Sequence, residues 1–339
     1  MRRRTTVATR ATLLSSLMCR DDSAIASTHA PLSRGSGHAG LAWGAVGVLA
    51  FSLTVPLTRV AVHDLDATFV GAGRAVVAGV LAGVLLLVTR PRRPRRNEAV
   101  RLAVVAAGVV VGFPLCTSAA LTEVPASHAA VVIGLLPAAT AAMSVLRTRE
   151  RVPVRFWVWA LAGAAAVIAF IAYSNGGLGT FRPADGWLLI AVLLAAIGYA
   201  EGGLLSRTLG SWQTICWALL LALPLMVALT ARAPVDDLSA VGPAAWAAVA
   251  YLSVVSMFLG FFAWYRGLAV GPMAQVSQVQ LVQPVLSLLW AAALLGEPLN
   301  ATVAIPAVAV IACAASAVRA RVPAAPSPGR GSPRVGALP

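Results

Sequence analysis

The sequence predicts an all-α integral membrane protein of ten transmembrane helices, built as two inverted five-helix repeats. Three observations lead there. Hydrophobic residues make up 59% of the 339-residue chain and charged residues 11%, with a mean hydropathy of +0.84; soluble domains carry roughly 25% charged residues. The apolar residues gather into ten segments between positions 39 and 319, each long enough to cross a hydrocarbon core of about 30 Å as a helix. Landmarks of the first five segments return in the second five: Leu121 and Leu268, Pro125 and Pro272, Pro137 and Pro284, and Glu150 and Glu297 are each 147 residues apart. Because five is odd, the second unit must enter the membrane in the opposite orientation to the first. The polar–apolar alternation of a membrane barrel is absent.

Taken in order, the first span covers 39–60 and carries Thr54 and Pro56; the second, 67–89, carries Arg74. The third, 99–121, holds Pro114 and Thr117, the fourth, 125–146, holds His128 and Pro137, and the fifth covers 153–173. The sixth, 184–207, contains Glu201, the seventh, 210–230, Pro224, and the eighth, 243–266, Trp264 and Tyr265. The ninth, 273–295, has four Gln near its start and Pro284; the tenth, 299–319, has Pro306. The repeats accordingly occupy 39–173 and 184–319, joined by the linker 174–183, SNGGLGTFRP. Residues 1–38 contain only a short apolar piece and read as a disordered cytoplasmic tail, or in part as an over-extended start with Met18 as the true first residue. Residues 320–339, rich in Pro, Gly and Ser, read as a disordered cytoplasmic tail.

The net charge of +14 reports topology rather than a nucleic-acid partner. Arginines crowd the N-terminal tail, the connection RPRRPRR around Arg93 and the connection around Arg149, while Asp64, Asp66, Glu123, Asp185, Asp236, Asp237 and Glu297 fall on the other side. By the positive-inside rule both termini are cytoplasmic. The chain has no Lys, which excludes a Walker A nucleotide site, a retinal Schiff base and a pyridoxal site. Cys19, Cys116, Cys216 and Cys313 lie far apart with no metal-binding spacing, so no metal and no cofactor is expected.

The segments WGAVGVLAFSLTVPLTR, LTEVPASHAAVVIGLLP followed by RERVPV, and YRGLAVGPMAQVSQVQLVQP followed by LLGEPLNAT together resemble the EamA-type members of the drug/metabolite transporter superfamily. The resemblance covers roughly 41–319; Arg149 stands before the first Glu where the family usually has Gly. It implies two EamA-like five-helix repeats around a central cavity, no enzymatic activity, and uptake or, more often, export of small metabolites. Alternating access between two inverted halves is the physical scheme such a repeat suggests. An amino acid or similar polar or amphipathic compound is the expected substrate, and a bacterial cytoplasmic (inner) membrane the expected location. Protons are a candidate coupling ion. A membrane-embedded lipid or prenyl transferase is the alternative; neither an Asp-rich metal motif nor HExxH or GxSxG occurs. A non-transporting sensor subunit is the third reading.

Polar residues inside hydrocarbon are costly and tend to face a bundle interior or a wet cavity, which ranks the candidates for a substrate or proton path. Glu201 stands first, because the apolar run before it is too short to span and forces the acid into the membrane. Its expected alternative role is an ion pair with Arg207 or Arg266. Arg74 is suited to a carboxylate or phosphate, with anchoring at the interface as the competing role. His128 and Gln275 are repeat equivalents near helix starts, and Gln278, Gln280 and Gln283 extend the polarity of the ninth span. Some of these Gln must bond neighbouring helices, since they point around the whole helix. Thr54, Thr117, Tyr199, Trp264 and Tyr265 are candidate wall residues, and the matched Pro137 and Pro284 are candidate hinges. Glu150 and Glu297 read as structural, favouring the start of the helix that follows each.

Single cysteines near Arg93 and Arg149 should react with impermeant reagents only from the cytoplasm, and those near Asp64 and Asp236 only from outside. Cytoplasmic labelling around Asp236 would refute the ten-helix inverted arrangement.

Overall fold

Hydrocarbon offers no water to a bare peptide group, so each crossing segment closes its hydrogen bonds within a helix. The computed structural model describes residues 34–149, 152–177, 182–234, 238–271, 276 and 279–321. The expectations for most of both tails, for Glu150 and for Gln275 and Gln278 lie outside those residues. The described helices are α1 (His38–Asp64), α2 (Ala67–Thr89), α3 (Arg96–Glu123), α4 (Ala126–Thr148) and α5 (Val154–Ser174), then α6 (Pro183–Leu209), α7 (Ser211–Arg232), α8 (Pro243–Val270), α9 (Val282–Leu295) and α10 (Ala301–Ala320). Nine of these are long and apolar enough to cross a membrane, and α9 is shorter.

The two five-helix repeats interlock pair by pair. Helix α2 packs on α7, α1 on α8, α3 on α6, α4 on α9 and α5 on α10, so every such contact joins one repeat to the other. Helices α5 and α10 form the periphery and bury the smallest share of their apolar windows, 28% each. Local signals set the ends. The Asp66 carboxylate accepts from Thr68 N at 2.8 Å and Phe69 N at 3.0 Å, capping α2. Gly210, at φ 104°, makes the turn from α6 to α7 in a region that disfavours other residues. Glu297 departs from the sequence expectation: its carboxylate accepts from Ala126 N at 2.8 Å and Ser127 N at 2.7 Å. It therefore caps the start of α4 in the opposite repeat, where the positive helix end attracts it, and not the helix that follows it.

The spacing of 147 residues recurs in the irregularities of the backbone. Helix α3 widens into a π segment over Ala106–Gly112; shifted by 147 this falls on 253–259, inside the π segment Tyr251–Leu259 of α8. Helix α4 is interrupted by a turn at Gly134 and Leu135, and the chain entering α9 by a turn at Gln280 and Leu281. Proline explains both interruptions. Pro137 and Pro284 lack the N–H that would bond the carbonyls of Ile133 and Gln280, and their rings clash with those carbonyls. The chain tightens there instead: Leu135 N bonds Val132 O at 3.2 Å and Gln283 N bonds Gln280 O at 3.1 Å. This is why α9 starts at Val282 although the apolar run suggested a span from 273. Pro56 interrupts α1 at Leu53 in the same way. The Ser52 carbonyl it leaves free accepts from Ser287 Oγ of α9 at 2.8 Å.

Glycines let α1 and α8 meet backbone to backbone. A Cβ on Gly40 would stand 2.5 Å from Gly271 Cα, and one on Gly267 would stand 2.8 Å from Gly44 N. The pseudosymmetric contact between α6 and α3 is made likewise, since a Cβ on Gly108 would stand 2.4 Å from Leu194 O and 3.0 Å from Gly198 Cα. Gly267→Ala must push two helices apart and is expected to cost about 1–3 kcal/mol. Gly83→Ala, whose Cβ meets only the Leu220 side chain at 3.7 Å, should be tolerated. Thermal unfolding of the two purified variants checks this; equal stabilities would show that the α1–α8 approach is not tight.

Candidate functional site

The proline breaks and π segments surround one interior region containing two cavities that share Gln283. The first cavity is lined by Thr54, Arg74, Tyr199, Ser256 and Gln283, with the apolar faces of Phe51, Val109, Phe113, Met257 and Phe261. The second lies between the two proline breaks and is lined by Pro137, Pro284, Gln280, Gln283 and Ser287 among aliphatic residues. Of the residues expected on the path, Arg74, Thr54, Tyr199, Gln283, Pro137 and Pro284 are thereby brought together. Both cavities are narrow and admit only water-sized molecules.

Arg74 dominates the chemistry of the first cavity. It is 1% exposed, so it faces the bundle interior rather than the interface. Its Nη1 donates to Thr58 Oγ1 and its Nη2 to Thr117 Oγ1, each at 3.4 Å, and its Nε has no partner. Those hydroxyls direct their own protons to backbone oxygens, Thr58 to Thr54 O at 2.7 Å and Thr117 to Phe113 O at 2.6 Å. Their lone pairs are thus turned to the guanidinium. Among the described residues no carboxylate forms an ion pair with Arg74. Thr117 belongs to this cluster as a partner of Arg74 without lining the cavity.

The same cavity carries an aromatic wall. Tyr199 stacks on Phe51 with centroids 6.3 Å apart and meets Phe261 edge-on at 5.9 Å. Trp264 and Tyr265, expected to line a cavity, stand behind this wall: Trp264 backs Tyr199 at 5.8 Å, and Tyr265 donates to Gly198 O at 3.4 Å. Both are fully buried because helix rotation, which apolar composition does not reveal, turns them into the α1–α6–α8 packing. Thr54 Oγ1 and Ser256 Oγ, 2.7 Å apart, bridge α1 and α8 at the cavity. Ser256, Phe51, Phe113, Phe261 and Ser287 were not singled out from the sequence; the two serines, Ser253 and Ser256, in the otherwise apolar eighth span were the available signal.

His128 and Glu201 lie away from both cavities, at the two ends of α6. His128 Nε2 is 2.7 Å from Asp185 Oδ1, and Asn175 Nδ2 donates to Asp185 Oδ2 at 2.6 Å. Phe170 covers the ring at 4.8 Å. Asp185, read from the sequence as a connection residue, is 0% exposed in the first turn of α6 and ties that repeat to α4. At the other end Glu201 pairs with Arg101 Nε of α3 through Oε1 and with Arg147 Nε of α4 at 2.7 Å through Oε2. The expected partners differ: Arg207 instead reaches Leu268 O at 3.5 Å. Nearby, Glu98 binds Arg92 through two bonds of 2.7 and 2.8 Å, and Arg92 also reaches Thr208 O at 3.2 Å. Among the described residues no group of His, Cys, Asp and Glu is arranged to hold a metal ion.

A helical membrane protein of two interlocked five-helix repeats, with an enclosed cavity bearing one charge between them, has the architecture of a membrane transporter. The EamA-like transporter family model matches residues 38–172 and again 182–318, and the chain belongs to that family. It is 46% identical over 276 residues to the uncharacterized transporter YdeK of Bacillus subtilis (strain 168), covering 81% of this chain and 96% of that one. It is 27% identical over 250 residues to a protein of Streptantibioticus cattleyicolor named as a probable terminal-alkyne amino-acid exporter, covering 70% and 80% respectively. A solved structure, described only as the crystal structure of a protein, superposes with a TM-score of 0.59 at 20% identity over 84% of this chain and 98% of that one, a likeness of fold.

Glu201→Gln leaves Arg101 and Arg147 facing a neutral amide. Loss of these charge-assisted bonds should lower stability by about 2 kcal/mol. A cysteine at Ser256, in a background without native cysteines, should then be labelled faster from the face that carries Arg101 and Arg147. Unchanged stability and labelling would show that this ion pair does not hold the end closed.

Proposed function

We propose that this protein is a secondary active transporter that exports a small amphipathic metabolite with a carboxylate, an amino acid or a close analogue, by alternating access. Its place is a bacterial cytoplasmic membrane, with both termini in the cytoplasm. The observation that carries the reading is Arg74. A buried guanidinium without a carboxylate partner is costly, and a substrate carboxylate arriving between Thr58 and Thr117 relieves that cost, with Nε and both Nη atoms available to it. Phe51, Phe113, Tyr199 and Phe261 offer the substrate's apolar part a wall, and Thr54, Ser256 and Gln283 offer neutral hydrogen bonds. Among the described residues no acid lines the first cavity, which favours anions and zwitterions over free cations. The relative named as an amino-acid exporter supports the same substrate class.

In this scheme the Glu201–Arg101–Arg147 cluster closes the cytoplasmic end and the His128–Asp185–Asn175 cluster the outer end. Both are formed here, and the cavity between them is closed to anything larger than water. Opening the cytoplasmic end requires the Glu201 ion pairs to part, and opening the outer end requires the His128–Asp185 hydrogen bond to part. Proton coupling enters at the Glu201 latch, where a proton removes the negative half of the pair, and not at the substrate cavity. The broken helices α4 and α9 supply the flexible points beside Pro137 and Pro284.

Arg74→Met should reduce flux of carboxylate substrates in proteoliposomes by at least about thirtyfold, the usual effect of truncating one partner of a buried charge pair. Arg74→Lys should recover little, because an ammonium cannot reproduce the planar fork. Near-normal flux through Arg74→Met with normal expression would refute the carboxylate role.

A further inference from the structure

The second cavity contains polar atoms that no protein group satisfies. Gln280 is 1% exposed and both its Oε1 and Nε2 lack partners; Gln283 is 6% exposed and its Oε1 lacks one. Ser287, in the same wall, gives its proton to Ser52 O at 2.8 Å and so turns lone pairs to its surroundings. The remaining lining residues are Val55, Ala130, Ile133 and Leu136 with the two prolines. An unpaired buried carboxamide is costly, and two of them face one space at the junction of the two broken helices. Two of the three unpartnered atoms are oxygen acceptors, and among the described residues no cation lines that cavity to compete for them. The half-helix Ala126–Ile133 also ends at this cavity, and the negative end of its dipole favours positive charge.

We propose that this second cavity is an ammonium subsite, and that the two cavities, which share Gln283, widen on opening into one site for a zwitterionic α-amino acid. This rests on the reading of Arg74 as the carboxylate anchor. An ammonium group carries three donors and no acceptor, which matches Gln280 Oε1, Gln283 Oε1 and Ser287 Oγ. Gln280 Nε2, the unpartnered donor, takes a carboxylate oxygen of the same molecule, since the two charged groups of an α-amino acid are adjacent. Gln283 lines both cavities and so sits between the two charges. Specificity follows from the same groups: a carboxylate without an amine leaves the carboxamides buried and unpaired, and an amine without a carboxylate leaves Arg74 unanswered.

The test uses purified full-length protein and matched probes: L-leucine with isocaproate, L-phenylalanine with hydrocinnamate, and L-norvaline with valerate, read as ligand-induced thermal shifts and as flux. At least one amino acid should bind at least about tenfold more tightly than its des-amino partner, the usual value of charge-assisted hydrogen bonds. Gln283→Met and, separately, Gln280→Met should bring the amino acid down to the level of that partner, and Arg74→Met should abolish both. The melting temperature of each variant without ligand reports its folding, and either glutamine variant alone suffices if the other fails to fold. Equal, Arg74-dependent binding of amino acids and des-amino acids would overturn the ammonium subsite and leave the carboxylate anchor standing. Discrimination that survives both glutamine substitutions would show that the second cavity holds ordered water only. Binding of no probe of either kind would overturn both readings.

Discussion

Backbone hydrogen bonding without water governs where this chain is allowed to be irregular. In hydrocarbon a released carbonyl or amide must be satisfied inside the protein or face a cavity. The chain departs from the α-helix within α1, α3, α4 and α8 and at the entry to α9, and all of these departures border the central cavities. Pro56 frees the Ser52 carbonyl and Ser287 takes it up; Pro284 opens the turn that puts Gln280 and Gln283 against the facing break at Pro137. The peripheral pair α5 and α10, by contrast, packs mainly through regular faces, although Pro306 lies inside α10. Irregularity and polarity are thus placed together, where a ligand or water can reach the groups that helices leave bare.

Charge is distributed by a complementary rule. Buried acids of the described residues have basic or hydrogen-bonding partners at the helix ends: Glu98 with Arg92, Glu201 with Arg101 and Arg147, Asp185 with His128 and Asn175. Arg74, alone in the middle of the bundle, has only long bonds to threonine hydroxyls. In the proposed scheme the pairs at the ends stabilise a closed molecule and part when it opens, and the lone charge at the centre attracts the substrate. The aromatic wall of Phe51, Tyr199 and Phe261 in the same cavity combines apolar surface with that charge, a combination suited to an amphipathic molecule.

Much of the fold was legible in the sequence because hydropathy and the spacing of 147 residues are one-dimensional signals. Both survive folding: matched prolines face one another across a shared cavity, and the π segments of α3 and α8 obey the same shift although no residue type marks them. What was not legible is rotation about helix axes. Depth along the sixth span placed Glu201 inside the membrane, yet it gave no means of choosing Arg101 and Arg147 over Arg207 as partners of Glu201. Trp264 and Tyr265 lie at the right depth to line a cavity and are turned away from it. Asp185 and His128, assigned respectively to a connection and to a ligand-facing helix start, find each other only once α4 and α6 are packed. Glu297 was correctly read as a helix-capping acid, but the helix it caps lies 170 residues earlier in the chain, beyond the reach of any local rule.

The glycine contacts between α1 and α8, and between α3 and α6, have a mechanical side. Most helix pairs interlock through side chains, so that sliding one past the other means lifting knobs out of holes. At Gly40, Gly44, Gly267 and Gly271, and again at Gly108 and Gly198, main chain lies against main chain. Such surfaces are close yet smooth, and small rotations meet little steric resistance. The two repeats therefore meet along two glycine-lined seams, α1 on α8 and α6 on α3, that correspond under the repeat relation.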